Sequence, residues 1–441
     1  MKAILIPFGY PGYPEEYLNR FTQESRDTIT GLGIDLKVTP IVIARSDIAE
    51  AREALRAEDY DFIIPLILTW LEVPNVIEAI QETFHKPILL WSHTMFRENG
   101  ELLTLGPIPA AGVLREAFEE LGLKFRFIYG MPWEEKIKTE IKDFAVVAST
   151  IHKLKHSRIG LLGYASMGMY TAAFDHLPLR RKLGPEIDHV GQYLIIKKIE
   201  EMEDARVKAL VNDAREKWEI GSEVSERDLM VTLKMYVALK DLVEDFGWSA
   251  LTIKCQYELS KYYKAVPCVP LSMLGDEIPC SCEGDIPLIT TQLMMHYLTD
   301  AVVTYADVHT ITEKGILFGA CGFAPFSLCS GSPKVDKTTI LYEGVANCTV
   351  YNEGEVTLAR LAYRKDRSFK MHVIKGTAQK PEPFHEVCCL SYPSMDITFD
   401  GSAEKFAQTM MSQHYALVYG NVYEKLLGLC ELLDIEPITI S

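Results

Sequence analysis

Residues 278–307 read Ile278-Pro279-Cys280-Ser281-Cys282-Glu283-Gly284-Asp285-Ile286-Pro287, a mostly apolar run to Thr299, then Ala301-Val302-Val303-Thr304-Tyr305-Ala306-Asp307. The stretch predicts a strand over 278–282, a helix over 286–299 and a strand over 301–306. Asp285 suits an N-cap and Pro287 the first helical turn. Ile286, Ile289, Leu293 and Tyr297 form an apolar stripe at helical spacing. A strand–helix–strand unit of this length is expected to be a right-handed crossover joining parallel strands. Glu283 and Asp307 then sit just past the carboxyl ends of strands in one sheet, where ligands bind. Neighbouring strands lie ~4.8 Å apart, close enough for two carboxylates to share one divalent cation. A plainly structural reading of the same pair has Glu283 capping the helix and Asp307 starting a turn.

The pattern extends in both directions. Upstream, short apolar runs at 2–6, 36–44, 62–70, 87–92 and 125–130 alternate with helical stretches at 14–32, 74–84, 109–121 and 134–154. Continuous apolar strands separated by helices imply a parallel sheet covered on both faces. A second cycle starts at Arg158-Ile159-Gly160-Leu161-Leu162-Gly163 and runs through charged helices at 197–217 and 222–246 to a strand at 250–255. Beyond Asp307 the grammar changes to β-rich segments at 338–351, 355–363 and 368–376, followed by a helix at 421–433 and a strand at 437–440. The expected architecture is α/β: two doubly wound parallel-sheet domains (1–155 and 156–306), then a β-rich C-terminal domain (307–441).

Composition narrows the function classes. The 441 residues are 48% apolar and 24% charged, as in an ordinary globular chain. A net charge of −16 disfavours nucleic acid and anionic membrane as partners, while leaving room for a local anion pocket. No segment reaches the ~18 uninterrupted apolar residues of a membrane span. The ten cysteines all lie at or beyond Cys255 and form no C-x-x-C pair, which suits buried thiols of a reducing cytoplasm. Gly9-Tyr10-Pro11-Gly12 and Gly163-Tyr164-Ala165-Ser166-Met167-Gly168 both miss the spacing of a dinucleotide loop. His414 is a lone histidine ahead of a strand-like run, and Trp70 ends a strongly apolar strand where packing is its default role. His309, Lys254 and Gln256 are polar groups at strand ends.

Together these segments resemble the L-fucose isomerase family. The most specific part is Glu283, then Asp307 twenty-four residues later within Tyr305-Ala306-Asp307-Val308, then a histidine, His414, before an apolar strand near the C-terminus. Ser166-Met167-Gly168-Met169, with Asp175-His176 downstream, is similar to the family's serine–methionine–glycine loop and its Asp-His pair. Thr69-Trp70 resembles the strand-end tryptophan of the first domain, and Lys254–Gln256 falls where the family places glutamines facing the substrate. Departures, such as Gln413 in place of an asparagine before the histidine, touch the sugar more than the metal.

The resemblance implies that Glu283, Asp307 and His414 bind one Mn²⁺, with Mg²⁺ or Co²⁺ as substitutes. Glu283 and Asp307 would also move protons, and Trp70, Met167, Lys254, Gln256, His309 and Gln413 would face the substrate. Two carboxylates and one imidazole suit manganese or magnesium better than zinc. The expected activity is aldose–ketose isomerisation through an enediol. The sugar is L-fucose, a related deoxy-sugar or pentose, or a 6-substituted hexose such as sulfoquinovose. The resemblance also implies a cytoplasmic homo-oligomer, hexamer or tetramer, with Trp70 at or near the interface. The competing expectation is a non-catalytic sugar-binding or regulatory protein on the same architecture.

Overall fold

A computed structural model describes residues 1–56, 59–165, 167–338, 343–384 and 393–440. They form two compact units, one of 1–152 with 431–433, the other of 153–430 with 434–441.

The first unit is built on a five-stranded sheet: β1 (Lys2–Phe8), β2 (Asp35–Val38), β3 (Phe62–Ile67), β4 (Ile88–Ser92) and β5 (Phe125–Tyr129). Its strand order is β2-β1-β3-β4-β5 and every pairing is parallel. β3 and β4 are buried at every position, as strands covered on both faces must be. The order reverses between β1 and β3, and Trp70 lies just past the carboxyl end of β3 at that switch point. Its indole is 42% exposed, so it does not fill the packing role that its apolar strand suggested.

The second unit combines a sheet and a barrel. Its parallel sheet contains β6 (Arg158–Leu162), β7 (Glu186–Val190), β8 (Ala250–Ile253) and β9 (Cys280–Cys282), in the order β9-β8-β6-β7. The single helix expected over 197–217 is two, Tyr193–Glu201 and Lys208–Lys217. The chain breaks between them to bury Met202 and Val207, and the Lys234 ammonium donates to the Met202 carbonyl at 2.5 Å.

The barrel and the strand beside it comprise β10 (Thr304–Ile311), β11 (Gly315–Gly319), β12 (Gly354–Tyr363), β13 (Phe369–Gln379), β14 (Ser394–Phe399), β15 (His414–Tyr419) and β16 (Glu436–Thr439). Six pair antiparallel in the order β12-β15-β10-β11-β14-β13, and β13 pairs again with β12 to close a barrel. β14 covers β13 only at Gly376–Gln379, which leaves Lys370–Val373 open on that side. β16 adds to β13 in parallel.

This overturns the crossover expectation for 278–307. β9 belongs to the parallel sheet and β10 to the barrel, and the two strands do not pair. The cause lies in the helix between them, Ile286–Thr299. It buries residues on all sides, from Ile286 through Met295 without interruption, where the sequence suggested a single apolar stripe. It packs on β8 and β9 through one side and on β12 and β15 through the other. A helix apolar all round is a core element between two layers. Thr290 and Thr291 donate to carbonyls one turn back, and the Gln292 amide nitrogen donates to the Cys280 carbonyl.

Candidate active site

The site forms where the carboxyl edge of the parallel sheet meets one end of the barrel. Glu283 follows β9 directly, and its backbone N–H donates to the Ile253 carbonyl at 2.8 Å, extending the sheet by one rung. Its φ of 70° places it in the left-handed region, and Gly284 follows at 67°. A non-glycine residue held there costs ~1–3 kcal/mol and persists only where the surroundings enforce it. The next position must be glycine, because a Cβ on Gly284 would lie 2.5 Å from the Tyr164 carbonyl oxygen. The turn brings the Glu283 carboxylate to His414 and Asp307.

Asp307 and His414 are brought together differently. They are register partners on adjacent antiparallel strands, β10 and β15. Directly opposite residues project to the same face, with Cβ atoms ~4.5–5.5 Å apart. Ligand atoms of Glu283, Asp307 and His414 lie within 4.8 Å of one another. The imidazole is fully buried, whereas the Glu283 and Asp307 side chains are 12% and 25% exposed. The two acids therefore reach solvent and the histidine forms the floor.

The imidazole is fixed from behind by Asp285. One carboxylate oxygen accepts from the Leu288 backbone N–H at 3.0 Å, capping the central helix as expected. The other accepts from His414 Nδ1 at 2.9 Å and from the Arg360 guanidinium at 2.8 Å. Asp285, not Glu283, is the helix cap. Burial pushes the Asp285 carboxyl up, but the Arg360 charge and the His414 bond overcome it and hold it down to about 2. Arg360 is itself buried and reaches the Thr171 carbonyl with its second terminal nitrogen at 2.7 Å.

With Nδ1 committed to Asp285, His414 Nε2 points at the acids, 3.2 Å from Asp307 and 3.5 Å from Glu283. It is buried and makes no hydrogen bond. A buried ring nitrogen facing two carboxylates fits a divalent cation bound by one nitrogen and several oxygens, with carboxylate–histidine support behind it. Burial lowers the imidazole's proton affinity, but the charges of Asp307, Asp285 and Glu283 raise its pKa well above the usual histidine value. A cation entering the site therefore displaces a proton from His414.

Asp285→Asn keeps the side-chain volume and a capping oxygen but removes the charge behind the imidazole. It is expected to weaken Mn²⁺ binding by ~10–100-fold, the usual cost of losing such a partner. Calorimetric titration with Mn²⁺ checks this, and unchanged affinity would remove Asp285 from the orienting role.

The other sequence-predicted residues distribute unevenly around the three. Gln413 precedes His414; its amide nitrogen contacts Met169 Sδ and its oxygen accepts from the Ser412 hydroxyl at 3.1 Å. Met167 is half-buried at φ 38° in the loop after β6, and Ser166 lies outside the described residues. That loop is tied to the barrel by Thr171–Ser412 and by the Asp175 N–H bonding the Tyr363 hydroxyl, each at 3.0 Å. Lys254 is fully buried, its ammonium paired with Glu258 and 3.8 Å from the centroid of Tyr164. Gln256 is half-buried two residues on. His309 sits at the irregularity between Val308 and Thr310 in the β10–β11 ladder, and its Nε2 donates to the Gly319 carbonyl at 3.1 Å. Trp70 belongs to the other compact unit.

Asp285 and Arg360 were missed as site residues. The signal for Arg360 was present: a lone charge inside Val356-Thr357-Leu358-Ala359-Arg360-Leu361-Ala362 has to be buried, and a buried guanidinium needs a carboxylate.

Glu283, Asp307 and His414 thus form an oxygen-rich cluster between an α/β layer and a barrel, and the chain is an isomerase enzyme. It is 22% identical over 451 aligned positions to the sulfoquinovose isomerase of Priestia aryabhattai, an alignment covering 98% of each chain. It is 24% identical over 397 positions to the sulfoquinovose isomerase of Clostridium sp. (strain MSTE9), covering 85% of this chain and 86% of that one. The sulfoquinovose isomerase of Alkalicoccus urumqiensis is 23% identical over 394 positions, covering 86% of each. No protein-family model matches. Among solved structures, a periplasmic solute-binding protein from Actinobacillus succinogenes 130z aligns at 11% identity over 68% of this chain and 91% of that one. Its TM-score of 0.18 is too low to relate the folds. Among the described residues no helix is long and apolar enough to cross a membrane.

Proposed function

We propose that this isomerase interconverts an aldose and its ketose, on the plan of the L-fucose isomerases, and that its substrate is a 6-substituted hexose of the sulfoquinovose type. The observation that carries the reading is the convergence of two partly exposed carboxylates on a buried imidazole nitrogen. The near full-length alignment with proteins named sulfoquinovose isomerase supports the substrate class.

Glu283, Asp307 and His414 would hold the cation, Mn²⁺ by preference. When bound, it supplies polarisation of adjacent sugar oxygens and so acidifies the C–H beside them. The acids do the rest. Glu283 or Asp307 takes the proton at C2 of the aldose and returns it at C1, a transfer suited to a carboxylate that reaches solvent-accessible substrate. His414 lies beneath them and orients the pair. Lys254, Met167, Gln256, His309 and Gln413 would line the sugar. The exposed Trp70 indole is where a neighbouring subunit would dock in a homo-oligomer.

Treatment with EDTA should abolish turnover, and Mn²⁺ should restore it better than Mg²⁺ or Co²⁺. The assay is NMR of sulfoquinovose, L-fucose and a panel of aldoses incubated with the protein. Full activity in protein shown to be metal-free would sink the cation. Conversion of L-fucose with none of sulfoquinovose would sink the substrate class.

A further inference from the structure

Behind Glu283, on the side away from Asp307 and His414 in chain order, the parallel sheet ends in thiols. Cys282 is the last residue of β9 and Cys255 lies two residues past the end of β8, its neighbour strand. The sulfur atoms of Cys255 and Cys282 and a carboxylate oxygen of Glu283 all lie within 4.8 Å of one another. Both cysteines are buried and free. The Tyr305 hydroxyl reaches Cys282 Sγ at 2.6 Å, placing an O–H donor where a thiolate would need one. The ring of Tyr305 packs edge-on against His414, 5.3 Å between centroids.

We propose that Cys255, Cys282 and Glu283 form a second cation site, for a thiophilic divalent ion such as Zn²⁺ or Cd²⁺, and that its occupation takes Glu283 away from Asp307 and His414. Two thiolates and one carboxylate, with a fourth position open, are a donor set that zinc and its heavier relatives prefer to manganese. Bonds of ~2.3 Å in a tetrahedron place ligand sulfurs ~3.8 Å apart, so closure by less than an ångström or so converts the cluster into a site. Binding releases the two thiol protons to solvent and forms two sulfur–metal bonds and one oxygen–metal bond, with no change of oxidation state. Glu283 is the only residue common to both clusters. The soft ion is therefore an inhibitor by theft of a ligand. That consequence rests on the proposed role of Glu283 beside Asp307 and His414; the binding itself does not.

The test uses the full chain, freed of metal and kept reduced, titrated with Cd²⁺ alone and followed by the ultraviolet thiolate-to-cadmium charge-transfer band. One Cd²⁺ per chain with a two-thiolate band is expected. Cys255→Ser and Cys282→Ser should each remove half the band or more, and Cys430→Ala, in a separate part of the core, should leave it intact. Glu283→Gln should keep the band and weaken affinity by at least about tenfold. Alanine in place of serine at 255 or 282 serves if a serine variant fails to fold. Absence of the band, or its survival in both cysteine variants, would overturn the site. In wild-type protein, excess Mn²⁺ should weaken Cd²⁺ binding at least about tenfold. Unchanged Cd²⁺ affinity with Mn²⁺ bound would overturn the shared carboxylate. A normal band in protein that binds no Mn²⁺ would uphold the thiol site and refute the manganese reading.

Discussion

Glu283→Gln and Asp307→Asn should each lower kcat by ~10²–10⁴-fold while leaving KM far less affected, because a positioned acid–base group is worth about that much in a proton transfer. The amides keep the shape and one oxygen of each carboxylate, so a cation and a sugar can still be held, but neither amide can accept the C–H proton. An interaction used mainly in the transition state lowers kcat and kcat/KM together. The two losses should not add in the double variant, since both residues serve one transfer. Steady-state kinetics on sulfoquinovose, with Mn²⁺ content measured in each variant, checks the result. Near-normal kcat in both variants with metal still bound would remove these acids from the chemistry.

Much of this site was legible because its pieces sit at element ends, where sequence speaks most clearly. Asp285 and Pro287 mark the start of a helix, and the helix observed, Ile286–Thr299, has the expected bounds. Glu283 then falls at a strand end by counting alone. Asp307 was placed just past a strand of the parallel sheet, whereas it lies within β10, in the barrel. Nothing local in 301–306 distinguishes a strand that returns to a parallel sheet from one that enters a barrel; that choice is made by β11 and β15, which pair with β10 from further along the chain. The register that sets Asp307 opposite His414 is a contact across more than a hundred residues, invisible to any local pattern. Asp285 was hidden for another reason. A capping carboxylate explains itself with one oxygen, so the sequence gives no sign that the second oxygen holds an arginine and a histidine.

Arg360→Leu should destabilise the C-terminal unit by ~3–5 kcal/mol, the usual cost of removing one partner from a buried ion pair. Arg360 and Asp285 are both fully buried, and the leucine leaves the carboxylate with only the imidazole and the Leu288 N–H against the desolvation of its charge. For a unit of this size that corresponds to a fall of about 6–10 °C in Tm. The pH dependence follows from the depressed Asp285 pKa. In the unfolded chain the group titrates near its ordinary 3.8, and in the folded protein near about 2. Its contribution, about 2–3 kcal/mol by linkage, is therefore fully present above pH ~4 and lost as the pH falls through about 2. The stability gap between wild type and Arg360→Leu should narrow over that acid window, because a protonated Asp285 no longer needs the guanidinium. Pairing Arg360→Leu with Asp285→Asn should recover part of the loss at neutral pH, since the second change removes the stranded charge. Thermal unfolding of the four proteins of this cycle at neutral and acid pH measures the coupling. Additive effects at neutral pH, or a gap that stays constant into acid, would show that Arg360 stabilises the unit through packing and its bond to Thr171, and not through Asp285.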